Sequence, residues 1–277
     1  MANRNLFICI FCAAAVLLSG NFIRATELMT SATQLGPGRV HAEVYYKRMA
    51  RQDSTITLGG GGAVNVKSST ISSRSSGTDL EMEGSGNGMF TKITYQPFES
   101  GLQYYVVTGM SDYNLQIPSG TFSNSYTTGD PGIVVGGGLK YTLVPHTVVT
   151  PALSIDISAV HSRYKLTKFA SGDGNVVGDT GFLLTELEIQ GALTISKKFV
   201  FDLGDNKASL DPYGGIKCIR LRTGMEDLSS GSYFSGTRTS YAPFLGVKFK
   251  PFPYEGIVVE GSFINELSAS VGLTVGF

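Results

Sequence analysis

Histidine is the usual proton carrier near neutral pH, and this chain has three: His41, His146 and His161. One of them has a nucleophile beside it, in His161-Ser162, with Asp173 and Asp179 a few residues further on. Acyl transfer by such a set needs the imidazole within hydrogen-bond reach of the hydroxyl. The flanking residues alternate apolar and polar as a strand does, and adjacent strand residues point to opposite faces. His161 and Ser162 are therefore poor partners, and no catalytic residue is assigned. The glycine run 59–62 lacks the Lys-Ser/Thr that follows a phosphate-cradling loop, so it reads as a pliant connection. No His/Cys spacing suits a metal, and no cofactor is expected. Cys9 and Cys12 sit in the first segment, which leaves Cys218 a packing role.

Charge pairing is the chemistry that remains. Folding the chain back about Gly204 as a hairpin sets equidistant residues face to face, with Glu188 opposite Arg220 and Glu186 opposite Arg222. Lys140, Asp156, Lys248 and Glu260 fall on the polar faces of other segments, and His41 and Glu43 on that of the first. Inside a narrow lumen, paired charges of both signs would brace the wall. Ionised groups forming a ring would instead select ions.

These side chains need a wall that separates an apolar from a polar face, and the alternation supplies one. Leu267, Ala269, Val271, Leu273, Val275 and Phe277 share one face, while Ser268, Ser270, Gly272, Thr274 and Gly276 share the other. The pattern recurs at Ile133 to Leu143, Leu153 to Ser158, Leu183 to Ile195 and Tyr241 to Phe249. Strands are expected near 39–51, 79–96, 101–112, 132–143, 148–167, 182–199, 209–223, 238–250, 255–263 and 267–277. In the second, Glu81 and Glu83 have opposite parity to Lys92 across Gly84 to Gly88, which points to a bulge or a late start. Long polar connections at 52–78, 113–131, 168–181 and 224–237 alternate with short turns at 97–100, 144–147 and 251–254 and a moderately longer one at 204–209, the exception being a short outer turn at 264–266. If both ends of the mature chain are periplasmic, the long connections face outward.

Composition agrees, with 35 Gly, 13 Tyr, 16 Phe and only 16% charged residues. The formal charge is zero, and no basic block is interleaved with aromatics, so nucleic acid is excluded as a partner. Arg4, the apolar run Leu6 to Leu18 and small residues ending at Ala25 predict a signal peptide over 1–25, ahead of one domain over 26–277. The apolar run is shorter than the ~20 residues of a spanning helix. No Cys follows it where a lipid anchor would attach. No later apolar stretch reaches helix-spanning length, so a membrane-embedded chain must close into a barrel.

The residues Ser270-Val271-Gly272-Leu273-Thr274-Val275-Gly276-Phe277 resemble the C-terminal assembly signal of bacterial outer-membrane β-barrels. That resemblance implies that Ser270, Gly272, Val275 and Phe277 serve insertion by the barrel-assembly machinery. The expected fold is thus all-β: an antiparallel up-and-down transmembrane barrel of about ten strands in contact with outer-membrane lipid. The expected function is a non-enzymatic barrel displaying polar outer loops for surface contact with an unidentified extracellular ligand. A narrow charge-lined pore is the alternative. An enzyme with a rim site is a lesser one, since no motif of the omptin-type proteases is matched. A soluble periplasmic sandwich would leave the outward apolar faces unexplained.

Overall fold

The computed structural model describes residues 31–32, 35, 38–58, 63–66, 69–72, 78–119, 122–128, 130–170, 176–204, 206–229 and 231–277. The expected leader, 1–25, lies outside the described residues. The strands in chain order are β1 (Arg39–Leu58), β2 (Ala63–Val66), β3 (Ser69–Ser72), β4 (Thr78–Gln96), β5 (Leu102–Ser111), β6 (Asn114–Ser119), β7 (Phe122–Thr128), β8 (Gly132–Val144), β9 (Ala152–Ala170), β10 (Val176–Ser196), β11 (Phe199–Leu203), β12 (Asn206–Asp227), β13 (Tyr233–Lys250), β14 (Glu255–Ser262) and β15 (Glu266–Gly276).

Ten of them close a barrel. The sequence β1, β4, β5, β8, β9, β10, β12, β13, β14, β15 is antiparallel at every step, and β15 returns to β1 through pairs running from His41↔Gly276 to Gln52↔Glu266. Each of these ten strands is thereby paired on both sides, so that they satisfy one another's backbone groups, as a lipid setting demands. The irregularity expected around Gly84 to Gly88 lies on the partner strand instead. Between Met49 and Gln52, β1 carries an extra residue against Gly84–Gly86, while β4 keeps one phase, with Met82, Gly84, Gly88, Phe90 and Lys92 all buried.

The two ends differ. One carries short turns. At the other, the strands run on into the segments expected as long connections: β1 reaches Leu58, β9 reaches Ala170 and β12 reaches Asp227. Within 113–131, β6 and β7 form a hairpin that inserts between β4 and β9. Thr57 pairs with Ser235, so at this end β1, β4, β6, β7, β9, β10, β12 and β13 continue the wall beyond the short strands β14 and β15.

Burial is inverted relative to a soluble protein. Val106, Met110, Ile133, Val135, Ile157, Leu193, Tyr241 and Leu245 are exposed on the outside, whereas Lys92, Lys217, Glu43 and Asp156 are buried inside. An apolar exterior around a polar interior is the arrangement of a bilayer-spanning barrel. Tyr95, Tyr104, Tyr141, Tyr254 and Phe98 are exposed near the short-turn end, where an interfacial aromatic girdle belongs.

Candidate functional site

Among the described residues, the lumen gathers most of the charged side chains expected from the sequence. Register sets the cast: every second residue of a wall strand points inward, so His41, Glu43 and Tyr45 of β1 share the interior with Lys92 and Phe90 of β4. Nearest the short turns, the Glu43 Oε1 lies 3.3 Å from Lys248 Nζ and 3.4 Å from His41 Nδ1. Lys140 and Asp156 are cross-strand partners, both buried, and the Tyr105 hydroxyl donates to Asp156. Lys92 Nζ sits 3.7 Å from the centroid of the Tyr105 ring. The Tyr213 hydroxyl donates to Glu260 Oε2 at 2.9 Å.

Further toward the long hairpins, Lys217 Nζ meets Glu266 Oε2 at 2.9 Å, with side-chain exposures of 0% and 2%. Rings stack above: Tyr45 on Phe90 at 5.4 Å and Tyr113 on Tyr164 at 4.6 Å. The Tyr113 hydroxyl donates to Glu186 Oε1 at 2.8 Å, and Gln52 donates to Glu188 Oε2 at 3.4 Å. A cleft among Lys47, Tyr164, Glu186 and Glu188 has a volume of only about 40 Å³.

Two glycines make room for the lumen tyrosines. A Cβ at Gly138 would lie 2.4 Å from the Tyr105 hydroxyl, and one at Gly246 would lie 2.3 Å from the Tyr213 ring. A strand position without a side chain is where a cross-strand ring can lie down over the backbone.

The short-turn mouth is filled from within the chain. The Ser31 hydroxyl donates to Asp211 Oδ2 at 2.6 Å, Lys140 donates to the Ser31 carbonyl, Thr142 donates to the Ala32 carbonyl at 3.4 Å, and the Leu35 amide donates to Gln96 Oε1 at 3.1 Å. The cavity left beside this segment is about 160 Å³, with Arg39, Lys140, Lys198, Lys248 and Lys250 among its lining.

The residues named from sequence divide into two groups. Lys140, Asp156, Glu186, Glu188, Lys248 and Glu260 face the interior, together with His41 and Glu43. Arg220 and Arg222 do not: both are exposed on the outside, and the expected pairs Glu186–Arg222 and Glu188–Arg220 are corrected by the register. Glu186 opposes Thr223 and Glu188 opposes Leu221, because Leu203 pairs with Asn206 and the hairpin mirrors just after Gly204 instead of on it. A slip of one residue sends every side chain of a strand to the other face. The interior cation of β12 is Lys217, which the assumed mirror had turned outward, and its partner Glu266 lies on a strand far away in sequence.

Ser270 and Gly272 are buried on the inner face of β15, Val275 and Phe277 are exposed on the outer, and the Phe277 amide donates to the Val40 carbonyl at 2.9 Å. His161 is exposed and Ser162 buried, on opposite faces of β9. No group of three His, Cys, Asp or Glu suited to a metal occurs among the described residues.

No family model matches the chain, and no curated protein matches it. Among solved structures, the translocator domain of the autotransporter NalP from Neisseria meningitidis is 11% identical, with 100% of this chain and 96% of that one covered and a TM-score of 0.40. The outer membrane protease OmpT from Escherichia coli is 10% identical over 91% of this chain and 100% of that one, at a TM-score of 0.44. Ail, the attachment invasion locus protein of Yersinia pestis, is 10% identical over 87% and 97%, at 0.26. Scores below 0.5 transfer no residue role and no activity from those barrels to this one. Closure of the ten strands on themselves, an apolar exterior and a charge-paired interior make this chain an antiparallel β-barrel of the membrane-spanning kind.

Proposed function

We propose that the protein is a non-conducting, non-enzymatic outer-membrane barrel that presents its long-hairpin end outward for surface contact. The observation that supports this best is the filled lumen. Lys92, Lys217 and Glu43 are each fully buried, and their partners reach in from other strands, so charge and ring together occupy the cross-section. Ten strands enclose little more than the eight that side chains can fill, so a few tyrosines are enough to block the passage. On the outward end, the continued wall carries a buried apolar layer of Met82, Leu115, Tyr126, Leu166, Leu184 and Met225, which stiffens it as a platform.

Two measurements test the reading. The refolded chain in planar bilayers should give no conductance steps at moderate voltage; sustained steps would show that surface contact is an insufficient account. Deleting residues 59–77, which keeps β1 and β4, should abolish binding of the barrel to whatever cell or matrix the intact protein adheres to. Unchanged adhesion would count against a contact role for that hairpin.

The cation-rich short-turn mouth favours one second reading, a narrow anion-selective pore gated by the segment around Ser31. It requires that removing residues 26–35 produce anion-selective steps. Ser270, Gly272, Val275 and Phe277 are proposed as the contact for the assembly machinery, and replacing Phe277 with Ser should lower the yield of inserted barrel without changing refolding in detergent.

A further inference from the structure

Displacement of Arg220 and Arg222 to the outside creates a feature that the lumen does not explain. On β9, β10 and β12, the exterior side chains nearer the short turns are those of a lipid-facing wall: Ile155, Ile157, Leu193, Ile195 and Ile216. Toward the long hairpins, the same faces turn basic. His161 and Arg222 flank Leu187 from either side, Arg220 lies beside Ile189, and Arg163 lies beside Thr185. Lys165 extends the row beside Leu183. All five basic side chains are exposed, and neither Arg220 nor Arg222 has a partner among the described residues. The acidic side chain nearest them on this face is Glu226, four residues beyond Arg222.

Depth and spacing identify what such a cluster meets. Eight residues separate Leu153 from His161. A strand tilted by about 40° climbs about 20 Å over that length, most of the ~25 Å apolar band of an outer-membrane barrel. The cluster therefore stands where hydrocarbon gives way to headgroups. Strands β9 and β12 flank β10, so their basic groups are about 10 Å apart, wide enough to engage two phosphates. Beside Arg220 and Arg222, a groove of about 470 Å³ is floored by Leu187 and Ile189 and bounded by Ser235, Gly236 and Thr237. Apolar floor and cationic rim suit one molecule with an acyl chain and a phosphorylated head. Guanidinium groups bind phosphate through two parallel hydrogen bonds, and a few basic residues at a membrane surface suffice to recruit anionic lipid.

We propose that this face, through Arg220 and Arg222 with Arg163 and Lys165, is a binding site for the phosphate groups of an anionic glycolipid in the outer leaflet. The choice of leaflet rests on the outward orientation given under the proposed function; the binding itself does not.

The test uses the full mature chain refolded in a neutral maltoside detergent, with folding of each variant checked by heat-dependent gel mobility. Native mass spectrometry and thermal unfolding are followed on titration with a diphosphorylated disaccharide lipid, its dephosphorylated form, and inorganic phosphate. The expected result is saturable binding of the diphosphorylated lipid, about 30-fold weaker in R220S/R222S. R220K/R222K should recover part of it, and Lys198→Ser at the other end should leave it unchanged. Equal binding of the dephosphorylated lipid, or no loss in R220S/R222S, would overturn the proposal. Inorganic phosphate competing at the same concentration as the lipid would also overturn it, by assigning the groove to a soluble anion. Labelling of a cysteine placed at Ser235, on intact cells, decides orientation separately, so failure there removes the leaflet and not the site.

Discussion

Lys217 and Glu266 meet at 2.9 Å deep in the lumen, and neither side chain reaches solvent. An ion pair in that position is held by its own completeness. Removing either partner takes away the close counter-charge of the other in a low-dielectric interior, at a cost of up to about 3–5 kcal/mol, whereas replacing both by apolar groups of similar volume can be neutral. Lys217→Met and Glu266→Gln should each lower the urea midpoint of the refolded barrel markedly. The double variant K217M/E266L should recover most of the loss, and additive losses would show that the two groups act independently.

Inside the lumen the Tyr105 and Tyr213 hydroxyls are anchored on the Asp156 and Glu260 carboxylates, and the proposed non-conducting barrel requires these two rings to block the passage. Tyr105→Ala with Tyr213→Ala should open intermittent conductance in planar bilayers, while the unmodified chain stays silent. A silent double variant would place the block at the stacked rings of Tyr45, Phe90, Tyr113 and Tyr164.

Gly246 lies under the Tyr213 ring, and Gly191 has no neighbour within 4 Å of where a Cβ would stand. Gly246→Val must push the ring off its site, and overpacking of this kind costs about 1–3 kcal/mol. Gly191→Ala should change the unfolding midpoint little. Comparable effects at the two positions would contradict the assigned packing.

The facing of β12 can be read directly. In a Cys218→Ser background, spin labels at positions 220 and 222 should be mobile and accessible to lipid-borne oxygen, while labels at 219 and 221 should be immobilised inside. The opposite pattern would restore the ion pairs expected from a mirror at Gly204.

Much of this barrel is written in the chain itself. Alternation from Leu267 to Phe277 and in its upstream counterparts reports a wall with lipid on one side, because side chains on a strand repeat every two residues whatever surrounds them. Aromatics and prolines at the short turns mark where the wall ends. Lys140, Asp156, Lys248 and Glu260 were assignable to the interior for the same local reason. Pairing between strands is not local. Whether Gly204 is the centre of its turn or only its first member moves the register by one residue, and that single step decides that Lys217 is inside and that Arg220 and Arg222 are outside. The partnership of Lys217 with Glu266, the tyrosines laid over Gly138 and Gly246, and the continuation of β6 and β7 in the wall all join residues far apart in sequence. Only closure of the barrel brings them within reach.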